Sequence, residues 1–152
     1  MKKYSGEEGF PIWIVGDSPP DAWKNKLDEP LDYRHPTRHS IWTPIENMIQ
    51  SNLYHSGKMR LLAEKIYIFN AVESSGDKPK RLEEWINLEE RISKLEELVR
   101  ERKPVIVLTL GSFSFELFRR ILRIGGKRSQ SYWKCKRMGQ EFRASHILKI
   151  FS

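Results

Sequence analysis

The residues best suited to chemistry in this chain each follow directly on a short apolar run. Gly16-Asp17-Ser18-Pro19-Pro20 follows Pro11-Ile12-Trp13-Ile14-Val15. Glycine lets a backbone approach a ligand closely, and the two prolines stiffen the turn. Asp17 then stands as a carboxylate on a rigid loop, suited to positioning water or acting as a base. The same residue types also make an Asx-turn or a helix cap, and the motif alone favours that plainer role. Asn70 closes the run Ile66-Tyr67-Ile68-Phe69. Its planar amide offers an acceptor and two donors, enough to read one edge of a nucleobase or to tie down the next loop. Gly111-Ser112 follows Val105-Ile106-Val107-Leu108-Thr109-Leu110. Backbone N–H groups at such a helix start can hold an anion, but Ser112 is better read as the helix cap. Between the first two runs, residues 32–44 are dense in polar and aromatic groups. His35 and His39 have the spacing of helical metal ligands, but Pro36 lies between them and disfavours that helix, so no metal is expected. Trp42 is placed to stack on a base or to staple the helix that follows.

These positions need a scaffold, and the apolar pattern supplies one. Residues 11–15, 65–69 and 104–110 are short, β-branched or aromatic, and read as interior strands of a parallel sheet. Trp85, Leu88, Ile92, Leu95 and Val99 recur at steps of three and four, which makes residues 81–102 an amphipathic helix. Its charged opposite face suits a crossover helix packed on the sheet better than a coiled-coil partner surface. A second helix runs from Gly111-Ser112 to Gly125-Gly126, and a third covers residues 41–53. Residues 129–137 read as an extended arm or loop, and residues 141–151 as a helix. The order predicts an α/β fold: a three-layer, doubly wound, mainly parallel sheet with right-handed crossovers. Ligands of such sheets bind at the carboxyl ends of the strands, where Asp17, Asn70 and Gly111 fall.

Composition narrows the rest. One domain, residues 1–152, is the natural count for this length. A single cysteine, Cys135, excludes an internal disulfide, a four-cysteine zinc site and an iron–sulfur cluster. No cofactor is expected. No apolar stretch has membrane-spanning length and no signal-peptide pattern opens the chain, so the expectation is a cytoplasmic monomer. The net charge of +7 is local. Residues 119–149 hold Arg119, Arg120, Arg123, Lys127, Arg128, Lys134, Lys136, Arg137, Arg143 and Lys149 against one acid, Glu141. A polyanion is the sharp reading of such a segment; a solvated helix face with a charged tail is the plain one.

Taken together, the three strand ends resemble the uracil-DNA glycosylase superfamily. The likeness rests on an apolar strand before Gly16-Asp17-Ser18-Pro19-Pro20, a strand ending at Asn70, and a strand ending in Leu110-Gly111 before an aromatic-rich helix. It spans residues 11–124. It implies the following roles. Asp17, with Gly16 and Ser18, lies on the loop behind the attacking water. Asn70 hydrogen-bonds an extruded uracil, and Trp42 stands where an aromatic ring covers that base. Gly111 and Ser112 lie near bound DNA, with Arg119, Arg123, Lys127, Arg128, Lys134, Lys136 and Arg137 on phosphates. The implied activity is hydrolysis of the N-glycosidic bond of uracil or a related damaged base. The family carries a further strand and a histidine-serine loop, whereas this chain closes on Ile147-Leu148-Lys149-Ile150-Phe151-Ser152, and His146 does not fit that loop. The expectation is thus a member lacking the last strand. The alternative is a non-catalytic nucleic-acid-binding domain of the same fold. Two other readings stand further off. A phosphate-handling enzyme lacks both Gly-rich fingerprints, and an interaction scaffold would use the 81–102 helix.

Overall fold

The computed structural model describes residues 2–143. Its sheet has four strands: β1 (Tyr4–Ser5), β2 (Ile12–Gly16), β3 (Tyr67–Asn70) and β4 (Ile106–Leu110), in the spatial order β1-β3-β2-β4. β2 pairs in parallel with β3 and with β4, while β1 adds an antiparallel edge to β3. The fold is therefore α/β with a mixed, mostly parallel sheet. Sequence reading locates the three parallel strands. It misses β1, because two residues carry no periodicity to read.

Among the described residues four α-helices accompany the sheet: α1 (Thr43–Gly57), α2 (Glu89–Arg102), α3 (Ser112–Ile121) and α4 (Cys135–Arg143). Alternation along β2 sends Trp13 and Val15 to one face and Ile12 and Ile14 to the other. Trp13 and Val15 join Tyr67, Phe69, Leu88, Leu95, Phe113, Leu117 and Ile121 in a core beneath α2 and α3. Ile12 and Ile14 join Ile66, Ile68, Leu61 and Trp42 in a second core, with Ile45, Ile49 and Leu53 of α1 packed against it. Helices thus cover both faces, the arrangement that lets β2 be apolar on both sides.

Boundaries differ from expectation where tight turns replace regular helix. Residues 82–88 form 3-10 turns before α2 begins at Glu89. α3 ends at Ile121, and Arg123 and Gly125 turn the chain with φ of 54° and 62°. Residues 129–137 are neither hairpin nor plain loop: a single turn at Gln130–Tyr132 leads into α4. α4 starts at Cys135, earlier than the predicted 141–151 helix, whose residues 144–151 lie outside the described residues together with His146 and Lys149.

Asp32 organises the long loop after β2. It is buried, and Arg34 clasps both its oxygens, Nε at 2.9 Å and Nη2 at 2.7 Å, while the backbone N–H groups of Asp28 and Arg34 add bonds of 3.0 Å each. The side-chain bond from Arg34, followed by those backbone bonds, holds the Asp32 carboxyl well below the usual carboxylate range. A lowered folded pKa stabilises above the ordinary carboxylate pKa and is lost only as pH falls through the depressed value. This loop therefore keeps its clasp through mild acid.

Candidate functional site

Gly16 and Asn70 lie opposite each other in the parallel register of β2 and β3. Asp17 and Asn70 consequently emerge at the same, carboxyl edge of the sheet. Pairing runs one step past the strands, with the Ala71 N–H on the Gly16 carbonyl at 2.7 Å and the Val72 N–H on the Asp17 carbonyl at 3.1 Å. The Asn70 side chain folds over Gly16, where Oδ1 lies 2.7 Å from the point a Cβ would occupy. That contact explains the glycine: any side chain there would push the amide away.

Asp17 reaches the third strand end. Its Oδ1 accepts the backbone N–H of Ser114 at 2.9 Å, across 97 residues of chain. It therefore caps α3, satisfying one of the N–H groups that every helix start leaves open. The cap assigned to Ser112 is thereby corrected. Ser112 is the first helical residue, no side chain from the preceding position closes the helix, and the carboxylate arrives from another strand. Gly111 makes room for it. At φ 107° and ψ 161° this residue sits in a region open essentially to glycine, and a Cβ there would lie 2.6 Å from both Asp17 oxygens. Gly111→Ala should accordingly cost about 2 kcal/mol or more, read as a fall in the urea midpoint at unchanged m. An unaltered midpoint would show that Asp17 does not rest on Gly111.

Asn70 is half-buried, and its side-chain amide has no hydrogen-bond partner among the described residues. Its backbone carbonyl is held instead. Arg91 of α2 donates Nη2 to the Asn70 carbonyl at 3.3 Å and Nε to the Ala71 carbonyl at 2.9 Å. Burial draws the Arg91 pKa down from its ordinary value. Arg91 was not foreseen as part of this edge. Its signal was a cation at a core-facing step between Leu88 and Leu95. Ser18 stands half-buried beside Asp17, and Ser75 donates to both oxygens of Asp21 at 2.7 and 2.8 Å, tying the loop after β2 to the loop after β3.

Two residues expected here are placed elsewhere. Trp42 is 1% exposed and packs with Ile12, Ile14, Leu61, Ile66 and Ile68. Its indole is core, with the Arg38 guanidinium 5.7 Å from the ring centre, and it offers no face to a base. Arg119 is 7% exposed. It pairs with Glu116 at 3.0 Å and Glu141 at 3.1 Å, donates to the Gly126 carbonyl, and stacks 4.4 Å from the Trp133 ring centre. A guanidinium so enclosed is an internal tie rather than a phosphate contact. Arg123, although exposed, pairs with Glu96 at 3.0 Å. Together with Lys127 it borders a groove of about 590 Å³ that also meets Trp85, Ile86 and Arg120, and neither Asp17 nor Asn70 lines that groove.

The other cations belong to a structured arm. Glu116, fully buried, accepts Nε of Arg120 at 3.1 Å, Nη1 of Arg119 at 3.0 Å, the Arg128 N–H at 2.7 Å and the Trp133 indole N–H at 2.7 Å. Trp133 packs on Phe115 of the first α3 turns, with ring centres 4.9 Å apart. Gln130 donates to the Pro79 carbonyl at 3.0 Å. The arm thus bridges α3, which starts at the strand-end edge, and the loop that follows Asn70. Lys127, Arg128, Lys134, Lys136 and Arg137 are exposed along it.

No helix among the described residues is long and apolar enough to cross a membrane. Compared with known proteins, the chain matches no family model and no curated sequence.

Proposed function

We propose that this protein binds a nucleobase of a DNA strand at the carboxyl edge of β2 and β3 and hydrolyses its N-glycosidic bond, in the manner of a uracil-DNA glycosylase. One observation carries the reading. The Asn70 amide, without a hydrogen-bond partner among the described residues, stands beside Gly16 on the edge that also holds the Asp17 carboxylate. A planar amide there can pair with the donor–acceptor edge of a pyrimidine. The parallel order β3-β2-β4, with Gly16 and Asn70 in register and Gly111 opening α3, supports the superfamily resemblance drawn from the sequence.

The chemistry asks little of the protein beyond position and charge. A base inside a duplex must first be extruded, at a cost of a few kcal/mol. As the C1′–N bond breaks, its electron pair leaves with the base and positive charge builds on the sugar. The second oxygen of Asp17, which accepts no bond from the described residues, stabilises that charge and orients water. Water adds hydroxide to C1′, and its proton ends on the departing base.

A second reading has its own support. Asp17 already serves as the α3 cap, and Trp42 lies in the core. A nucleic-acid-binding domain of the same fold, without hydrolysis, needs neither a free carboxylate nor an aromatic cover. The test is release of uracil from labelled single-stranded and duplex oligonucleotides, scored by alkaline cleavage at the abasic site. Wild type should release uracil, and Asn70→Ala should lower kcat/KM by about tenfold, the worth of one good amide–base pair. Its melting temperature should not move, since the lost amide bonds nothing among the described residues. Binding without any release would select the second reading.

A further inference from the structure

Two arginines lie over the Tyr132 ring. The Arg128 guanidinium carbon is 4.7 Å from its ring centre and that of Arg137 is 4.2 Å away. Both side chains are exposed; the backbone of Arg128 and the side chain of Arg137 are held by hydrogen bonds. The Arg128 backbone is held at its N–H by Glu116 at 2.7 Å and at its carbonyl by Arg120 at 2.9 Å. Arg137 donates Nη1 to the Tyr132 carbonyl at 3.0 Å. Tyr132 itself packs edge-on against Trp133, with centres 4.9 Å apart. Lys134 and Lys136, both exposed, lie between Tyr132 and Arg137 in the chain. Among the described residues none of these four cations meets a carboxylate, although cations elsewhere in the molecule commonly do.

Such an array is costly to hold without an anion. Four like charges within ten residues repel, and stacking two of them on one ring forfeits rotamer freedom in advance. That loss is recovered when phosphate arrives, because a pre-set guanidinium plate meets phosphate oxygens with two parallel bonds and little further ordering. A lipid surface fits poorly: none of the exposed large apolar side chains lies on this arm, so nothing there would enter a bilayer. The arm reaches the strand-end edge through Trp133 on Phe115 and Gln130 on Pro79. The edge where α3 starts also carries the Asn70 amide. An unpaired strand can offer a base edge to that amide without the cost of extrusion.

The geometry points to a backbone clamp for single-stranded nucleic acid on residues 128–137, in which the stacked guanidiniums of Arg128 and Arg137 take neighbouring phosphates and Lys134 and Lys136 extend the track. The inference rests on the nucleic-acid reading above and gives that site its substrate form.

Fluorescence anisotropy with labelled oligothymidylate of about 12 nucleotides, which contains no uracil, tests the clamp apart from base excision. Arg128→Ala/Arg137→Ala should weaken binding about tenfold or more and flatten the salt dependence by about 1.4 in log–log slope, the share of two phosphates on a single strand. Arg128→Lys/Arg137→Lys keeps the charge, loses the plates and should fall between. Lys94→Ala/Arg100→Ala, an equal charge change on α2, should bind as wild type. Circular dichroism melts check that each variant folds. The clamp is overturned if the alanine pair binds within about twofold of wild type, if the α2 control loses as much, or if phosphatidylserine vesicles or a perfect duplex of the same length bind as tightly as the single strand. Uracil release decides separately: a clamp that holds thymidylate without excision leaves this inference standing and removes the glycosylase reading.

Discussion

Replacing Glu116 with alanine should lower the stability of this protein by about 3–5 kcal/mol, the cost of leaving a buried cation without its partner. Glu116 is fully enclosed and collects four donors from Arg119, Arg120, Arg128 and Trp133. Without it the Arg119 guanidinium, 7% exposed, keeps Glu141 and the Gly126 carbonyl but loses its buried anion. The Trp133 indole N–H and the Arg128 N–H lose their acceptor outright, and each unsatisfied donor adds to the penalty. Urea unfolding measures the loss. Because single domains are stable by only about 5–15 kcal/mol, Glu116→Gln serves as the milder variant. It retains the shape and one acceptor, removes the charge, and should fall between alanine and wild type. A loss under about 1 kcal/mol for the alanine variant would mean that this carboxylate is no anchor. The effect should also travel. The arm hangs on Glu116 through Trp133 and Arg128, so the glutamine variant should bind oligothymidylate more weakly even at temperatures where it is fully folded.

Asp17→Asn should leave the fold nearly untouched and abolish most of any base excision. An asparagine oxygen accepts the Ser114 N–H as an aspartate oxygen does, and the two residues cap helices about equally well, so stability should change by no more than about 0.5 kcal/mol. The charge, however, is gone. A carboxylate facing a developing sugar cation is worth about 10²–10³-fold in rate by comparison with other pre-set charge stabilisers, and kcat/KM for uracil release should fall by that factor. Asp17→Ala loses the cap as well, adding about 1 kcal/mol of destabilisation. The pair of variants separates the two duties of one residue. Should Asp17→Asn excise uracil at the wild-type rate, Asp17 is the α3 cap and nothing more, and the charge on the sugar is met by another group.

The strand ends were legible because each lies one residue from the element that places it. An apolar run with β-branched residues states where a parallel strand stops, and in such sheets the stop is where ligands approach. Hence the sequence alone places Asp17, Asn70 and Gly111 on one edge. The amphipathic steps Leu88, Ile92, Leu95 and Val99 likewise define the buried side of α2, and the structure packs those residues beneath it. Trp42 shows the limit. A tryptophan at a helix start is the same letter whether it covers a base or fills a core, and the difference lies in Ile12, Ile14, Leu61, Ile66 and Ile68, which come from three other stretches of chain. Arg119 shows it for charge. Ten cations in residues 119–149 look alike in sequence, yet Arg119 is enclosed by Glu116 and Glu141 while Arg128 and Arg137 stand in solvent on Tyr132.

By itself, then, the amino-acid order determined the α/β plan, the three parallel strands, the amphipathic crossover helix and the basic segment 119–149. These follow from hydrophobic periodicity and composition, which act between near neighbours in the chain. Tertiary structure alone decided that Asp17 caps α3 across 97 residues, that the Asn70 amide has no hydrogen-bond partner among the described residues, that Trp42 and Arg119 turn inward, and that the arm packs on Phe115 of α3 and on the Pro79 carbonyl. A polar side chain chooses its partner only once the backbone has closed, because a hydrogen bond or ion pair depends on ångström distances that no local pattern of residue types contains.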